Sequence, residues 1–193
     1  PKKPELGKRE IHLTKQLYID RDDFMEIPKK GFFRLAPGAE VRLRYAYIVK
    51  CTHLVKDEQG NILEIHCTYD PDTKSGTAGA TTRKVRGNIH WLSTPHSHPV
   101  EIRLYDRLFN DSHPDTEGKD FKTSLNPDSR KIITGYIEPS LLKAQAEERF
   151  QLERHGYFVA DRIDTKPNQP VFNRTTSLRN TWVKTEDKST HNK

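Results

Sequence analysis

Apolar and polar residues alternate with a period of two along most of the chain, the pattern of half-buried β-strands. In residues 40–50, EVRLRYAYIVK, Val41, Leu43, Tyr45, Tyr47 and Val49 fall on one face and Arg42, Arg44, Ala46, Ile48 and Lys50 on the other, which predicts one continuous strand. Residues 53–55, the polar stretch 57–61 and residues 62–69 read as strand, turn and strand, with Gly60-Asn61 supplying hairpin chemistry. The stretch 70–82, rich in Asp, Thr, Gly, Ser and Ala, reads as a flexible loop. Residues 84–92, KVRGNIHWL, read as a strand that Gly87 bends.

After a turn at 95–99 the alternation resumes in PVEIRLYDRLF (99–109), which opens a second unit, and strands follow at 132–137, 150–159 and 171–183. Only Glu138-Pro139-Ser140 followed by LLKAQAEERF carries a helix signal, two or three turns long with Ser140 as N-cap. Frequent turns and almost no helix predict a mainly β chain built as two small β-barrels with one short helix. The expected boundaries are 1–92 for the first barrel and 93–185 for the second, with strands able to exchange between them. Residues 186–193 form a frayed polar tail.

A length of 193 residues accommodates two such domains. With 33% hydrophobic and 31% charged residues the chain suits small barrels with a large wet surface, and the clustering of its apolar residues argues against disorder. The formal net charge of +6 makes a polyanion a reasonable partner. That charge is uneven: residues 1–92 hold 17 Lys and Arg against 12 Asp and Glu, and the remainder 16 against 15. No apolar run approaches the roughly 18 residues of a membrane span, and no signal-peptide pattern appears. Cys51 and Cys67 lack a CxxC spacing and read as buried free thiols of a reduced, cytoplasmic protein. The chain opens at Pro1 rather than Met and reads as a piece of a longer protein.

Basic and aromatic residues interleave where chemistry is expected. On one strand face Arg42 and Arg44 would stand about 7 Å apart and could bracket one nucleotide, because a guanidinium fork satisfies two acceptors at once. The bland alternative is a pair of surface arginines bridged to acids across the sheet. Arg34 follows Phe32-Phe33, a cluster able to stack bases and pair their edges, with one of the two rings expected in the core. Arg83, Lys84 and Arg86, with Lys2, are candidate phosphate contacts. Gln151 and Arg154 can reach one nucleotide only if the strand ends between them, which Gly156 permits. His90, His96 and His98 suggest a metal cluster, but the TPHSHP segment reads first as a turn and no carboxylate or cysteine completes a ligand set, so no metal site is expected. With no GxSxG, P-loop or HExxH motif, no self-contained active site is expected either.

The segments EVRLRYAYIVK, CTYDPDT, GNIHWLS, PVEIRLYDRLF, EPSLL, HGYF and PVFNRT, in this order, resemble the carboxy-terminal anticodon-binding region of the bacterial glutaminyl-tRNA synthetase family over nearly the whole chain. The resemblance implies two barrels related to a ribosomal-protein barrel, with the anticodon loop of tRNA(Gln) across both. It also implies a parent enzyme, a class I ligase that joins glutamine to tRNA with ATP and magnesium. The motifs of that chemistry are not in this sequence, so the fragment alone should be inactive and hold no cofactor. Expected partners are the tRNA(Gln) anticodon stem-loop and the parent's catalytic and connecting domains, in a cytoplasmic monomer without membrane contact. By position, Arg42 and Arg44 match family arginines near the first anticodon base, Arg34 the reader of the third, and Gln151 and Arg154 those near the second. Phe33 stands where the family has a lysine and Lys2 where it has an asparagine. The alternative is a ribosomal-protein-like barrel that binds structured RNA without a synthetase role.

Overall fold

The computed structural model describes residues 9–81, 83–116, 118 and 120–178 and is mainly β, as the period-two pattern predicts. It divides into two units, one running to His98 and taking in Tyr136–Ser140, the other comprising Pro99–Gly135 and the chain from Leu141.

In the first unit β1 (Leu17–Ile19), β2 (Glu40–Leu43), β3 (Ile48–Lys56), β4 (Ile62–Asp70), β5 (Gly87–Ile89) and β6 (Trp91–Ser93) form two sheets, ordered β4-β3-β2-β5 and β1-β6. Among the described residues neither ladder closes on itself. The two sheets instead share one apolar core, in which Val41, Leu43, Val49, Cys51 and Ile89 meet Phe24, Leu35 and Trp91, with Leu17 and Ile19 packed against them. Burying each such side chain contributes about 1.5–3 kcal/mol.

The single strand expected over 40–50 is a hairpin. β2 runs antiparallel to β3 with Glu40 opposite Lys50 and Arg42 opposite Ile48, and the chain reverses at Tyr45, whose φ is 63°. No Gly, Pro, Asn or Asp marks this turn, so local chemistry does not announce it. Tertiary hydrogen bonds impose it: the Arg44 N–H donates to the Ile89 carbonyl at 3.0 Å, and the Trp91 indole N–H donates to the Arg44 carbonyl at 2.9 Å. The next hairpin, β3–β4, follows the sequence expectation, with Gly60 at φ 84° and the Asp57 carboxylate accepting from the Asn61 N–H at 2.7 Å.

Nor is the stretch after β4 a free loop. Thr73 is buried, and its hydroxyl accepts from the Ile48 N–H at 2.9 Å and donates to the Asp70 carbonyl at 2.7 Å. The Ser75 N–H and hydroxyl both donate to the Ala46 carbonyl, at 2.9 and 2.8 Å. The segment is thus docked on the β2–β3 turn, because buried backbone groups require partners.

The second unit holds one sheet ordered β8-β7-β11-β10-β9, made of β7 (His98–Tyr105), β8 (Arg130–Ile137), β9 (Arg149–Leu152), β10 (Gly156–Ala160) and β11 (Val171–Thr176) with β7 and β11 parallel; His98 of β7 and Tyr136 and Ile137 of β8 are counted with the first unit. Phe172, Phe158, Ile102, Val100 and Ala160 are buried, and the Phe150 ring meets Phe172 edge-on at 5.7 Å. The helix expected after Glu138 is a five-residue 3₁₀ run, Pro139–Lys143, with Ser140 inside it rather than at its cap. Residues beyond it leave the helix because Glu147 adopts φ 67° and exchanges hydrogen bonds with β10: the Glu147 N–H donates to the Ala160 carbonyl and the Ala160 N–H to the Glu148 carbonyl. The strand expected over 150–159 is likewise a hairpin, β9 and β10, turned at Arg154 with φ 71°. The strand expected over 171–183 ends at Thr176, and the tail 186–193 lies outside the described residues.

Gly87 shows how tightly the first unit is assembled, since a Cβ there would fall 2.5 Å from the Phe33 carbonyl oxygen and 2.6 Å from Val41 Cγ1. The bend expected of it is in fact a close approach of two segments. Gly87→Ala is expected to lower stability by about 1–3 kcal/mol through overpacking, measured as a lower urea midpoint at unchanged slope.

Candidate nucleic-acid interface

Arg34 is held by its neighbours in both backbone and side chain. The Leu35 N–H donates to the Asp23 carbonyl at 3.0 Å and the Met25 N–H to the Leu35 carbonyl at 3.1 Å, so the two segments lie side by side. One Arg34 Nη then donates to Oδ1 of Asp23, whose carboxylate is fully buried. Burial pushes Asp23 up to about 6 although Arg34 pulls it down, and Asp20 and Asp22 add to the upward push. The Arg34 side chain itself remains 36% exposed. Neither neighbouring ring enters the core: Phe33 is 52% exposed and Phe32 half-buried, and Phe24 fills the apolar position instead. The Arg86 guanidinium lies over the Phe33 ring, 4.9 Å from its centroid.

The hairpin separates Arg42 from Arg44, so they do not stand as a pair on one strand face. Arg42 Nη1 donates to the Thr73 carbonyl at 2.7 Å and Nη2 to the Ala80 carbonyl at 2.9 Å, pinning the docked segment. Arg44 sits half-buried at the turn, its guanidinium 5.4 Å from the ring centroid of Tyr45. The basic run at 83–86 also divides. Arg83 bridges Glu40 at 3.3 Å and Asp70 at 2.9 Å, whereas Lys84 and Arg86 are exposed. Lys2 lies outside the described residues.

Arg44 also lines a shallow, solvent-open cleft of the same unit, together with Arg9, His12, His90, Trp91 and His96. The His12 and His96 rings stack at 4.5 Å, and Arg9 pairs with Glu138 at 2.7 Å. Of this group the sequence singles out only His90 and His96; Arg9 and His12 come from a distant segment and form no spaced motif with them. Among the described residues no group of three or more His, Cys, Asp or Glu could hold a metal.

In the second unit Gln151 is exposed on β9, and Arg154 is half-buried in the turn that follows. The strand ends between them, so one hairpin carries both. Arg103, in the PVEIRLYDRLF segment, is spent internally: it donates to Glu101 at 2.6 Å, Asp161 at 3.2 Å and Asp164 at 2.6 Å. The Asp164 N–H, the Asn173 amide and the Ile163 N–H hold Asp161 down at about 2. That cluster is a structural knot.

Both cysteines are free, but only Cys51 is buried; Cys67, expected to be buried, is exposed on β4 opposite Cys51. No helix among the described residues is long and apolar enough to cross a membrane. The first unit thus offers oriented guanidinium groups beside exposed rings, and the second an exposed amide near an arginine, groups whose chemistry suits contacts to RNA.

Comparison with known proteins agrees with this chemistry. Residues 1–70 and residues 88–161 each match a family model described as tRNA synthetases class I (E and Q), anti-codon binding domain. The chain is 79% identical over 184 residues to a glutamine–tRNA ligase of Nitrosomonas europaea, covering 95% of this chain and 33% of that protein. Similar proteins of the same name occur in Cupriavidus metallidurans, at 56% identity over 95% of this chain and 32% of the relative, and in Polynucleobacter asymbioticus, at 50% over 94% and 32%. The chain therefore spans about a third of the length of the curated relatives it matches.

Two outcomes follow from the internal bonds of these arginines. Because Asp23 in the folded chain holds its proton up to about pH 6 against an ordinary 3.8, this group favours the folded state increasingly as pH falls from 6 toward 4. The contribution is lost as pH rises through 6. Arg34→Ala leaves a buried carboxylate without its cation, so at pH 8 it should cost about 1–3 kcal/mol of stability. That cost should shrink toward pH 5 and vanish in the Asp23→Asn background, as followed by denaturant unfolding. Arg42→Ala should release the docked segment, seen as faster amide exchange at Ser75 and Ile48 with slower change in the core strands.

Proposed function

Because the chain belongs to the anticodon-binding domain family of the class I glutamyl- and glutaminyl-tRNA synthetases, we propose that it reads the anticodon loop of tRNA(Gln) for a glutamine–tRNA ligase of which it forms part. The observation that carries the reading is the match of both ends of the chain to anticodon-binding models, alongside relatives that share the name glutamine–tRNA ligase. Each unit then corresponds to one anticodon-binding domain. The catalytic and connecting domains of the parent would join glutamine to tRNA with ATP and magnesium, as a cytoplasmic monomer, while this portion supplies recognition.

The geometry supports a division of labour. Arg34, oriented by Asp23 and still partly exposed, reads the third anticodon base. Arg44 at the β2–β3 turn faces the first base, with Arg42 steadying the adjoining segment. Gln151 and Arg154, on one hairpin, address the second. Guanidinium groups suit this task because a bidentate fork distinguishes the acceptor pattern of a base edge. Lys84 and Arg86 add phosphate attraction without sequence preference.

Titration of the chain with a glutamine-anticodon stem-loop, and with loops changed one base at a time, at two salt concentrations, tests this function by fluorescence anisotropy. Arg34→Ala and Arg44→Ala should each cost about 1–3 kcal/mol on the cognate loop and much less on loops altered at the base each reads. Lys84→Ala should weaken every loop alike and flatten the salt dependence. Equal, salt-sensitive binding to all loops would overturn anticodon reading and leave a general RNA-adhesive β domain.

A further inference from the structure

We propose that Phe33 and Arg86 form a stacking platform for an unpaired RNA base, beside the base that Arg34 addresses. The inference rests on the proposed RNA function and adds to it a subsite of stated chemistry. Phe33 is 52% exposed, so its ring is open to a partner. Its backbone is fixed, since the Phe33 carbonyl oxygen would lie only 2.5 Å from a Cβ on Gly87. That close approach brings Arg86, the residue before Gly87, over the ring at 4.9 Å.

Among the described residues Arg86 has no carboxylate partner, unlike Arg34, Arg83 and Arg103, each of which does. Its charge therefore stays available beside an exposed aromatic ring. Bases stack on both kinds of plane, and the cation adds attraction for the neighbouring phosphate. Lys84, exposed two positions earlier, extends the positive field, and the excess of basic residues in residues 1–92 favours a polyanion over an acidic-poor apolar partner. Since Phe33 directly precedes Arg34, the platform takes a nucleotide adjacent to the one that Arg34 reads. Every base has a π-face, so this contact supplies affinity and orientation with little base preference.

Phe33→Leu keeps apolar volume at an exposed site and removes the π-surface, and its thermal midpoint should match the parent. The probe is the glutamine-anticodon stem-loop together with a set in which each loop nucleotide in turn is abasic. The substitution should weaken binding to the intact loop about fivefold or more, and the loss should disappear for one abasic position only. Arg86→Gln should weaken binding and lower the salt slope by about one. Phe33→Leu binding every loop like the parent, or losing equally on every abasic loop, overturns the platform even where Arg34-dependent base reading holds. Conversely, a position-specific loss with Phe33→Leu, in a chain whose affinity ignores base identity and Arg34, upholds the platform and sinks anticodon reading.

Discussion

The indole N–H of Trp91 reaches the carbonyl of Arg44 while the Arg44 N–H is taken by the Ile89 carbonyl, and much of the first unit depends on that double clamp. Between them these bonds hold a turn whose own residues have no preference for it, with Tyr45 in a backbone region that few side chains adopt. Trp91 is buried, so its indole N–H left without this partner would be costly. Once the turn is set, β2 and β3 pair in one register. Val41, Leu43, Val49 and Cys51 enter the core, and Arg42 meets the segment that follows β4. The placement of Arg44 at the turn and the closure of the core are therefore consequences of the same clamp.

A second constraint is the fate of the arginines. A chain of formal charge +6 appears well supplied with cations for RNA, yet several are engaged inside the fold. Arg103 is tied to three carboxylates, Arg83 to two, Arg42 to two backbone carbonyls and Arg34 to one buried carboxylate. Such engagement orients a guanidinium and limits its rotamers, which is what base reading demands of a half-exposed side chain. It also removes the same group from the general attraction of phosphate. Lys84 and Arg86 stay exposed, and Arg34 is both anchored and partly exposed. The Asp23–Arg34 pair shows the tension most directly, since the carboxylate that aims the arginine is itself disfavoured as an anion by burial.

The alternation of apolar and polar residues made the β class legible, together with the hairpin at Gly60-Asn61 and the weakness of any helix. Those features are local: side-chain period, turn residues and propensity act within a few positions. The family resemblance was equally legible, because motif order survives in sequence whatever the strands do. What stayed hidden was the reversal at Tyr45, where no glycine or asparagine marks the turn and the alternation continues unbroken through it; at Arg154 the nearby Gly156 permitted a strand end without requiring one. The docking of the segment after β4 and the exposure of Phe33 were hidden for the same reason. Each is settled by a hydrogen bond or close approach between residues far apart in the chain, such as Trp91 with Arg44, Arg42 with Ala80 and Gly87 with Phe33. The sequence by itself determined that this protein is a basic, mainly β chain with arginines beside aromatics. Only the tertiary structure decided which arginines are bound inward and which face outward, because burial and partner distance, unlike residue type, exist only once distant segments have met.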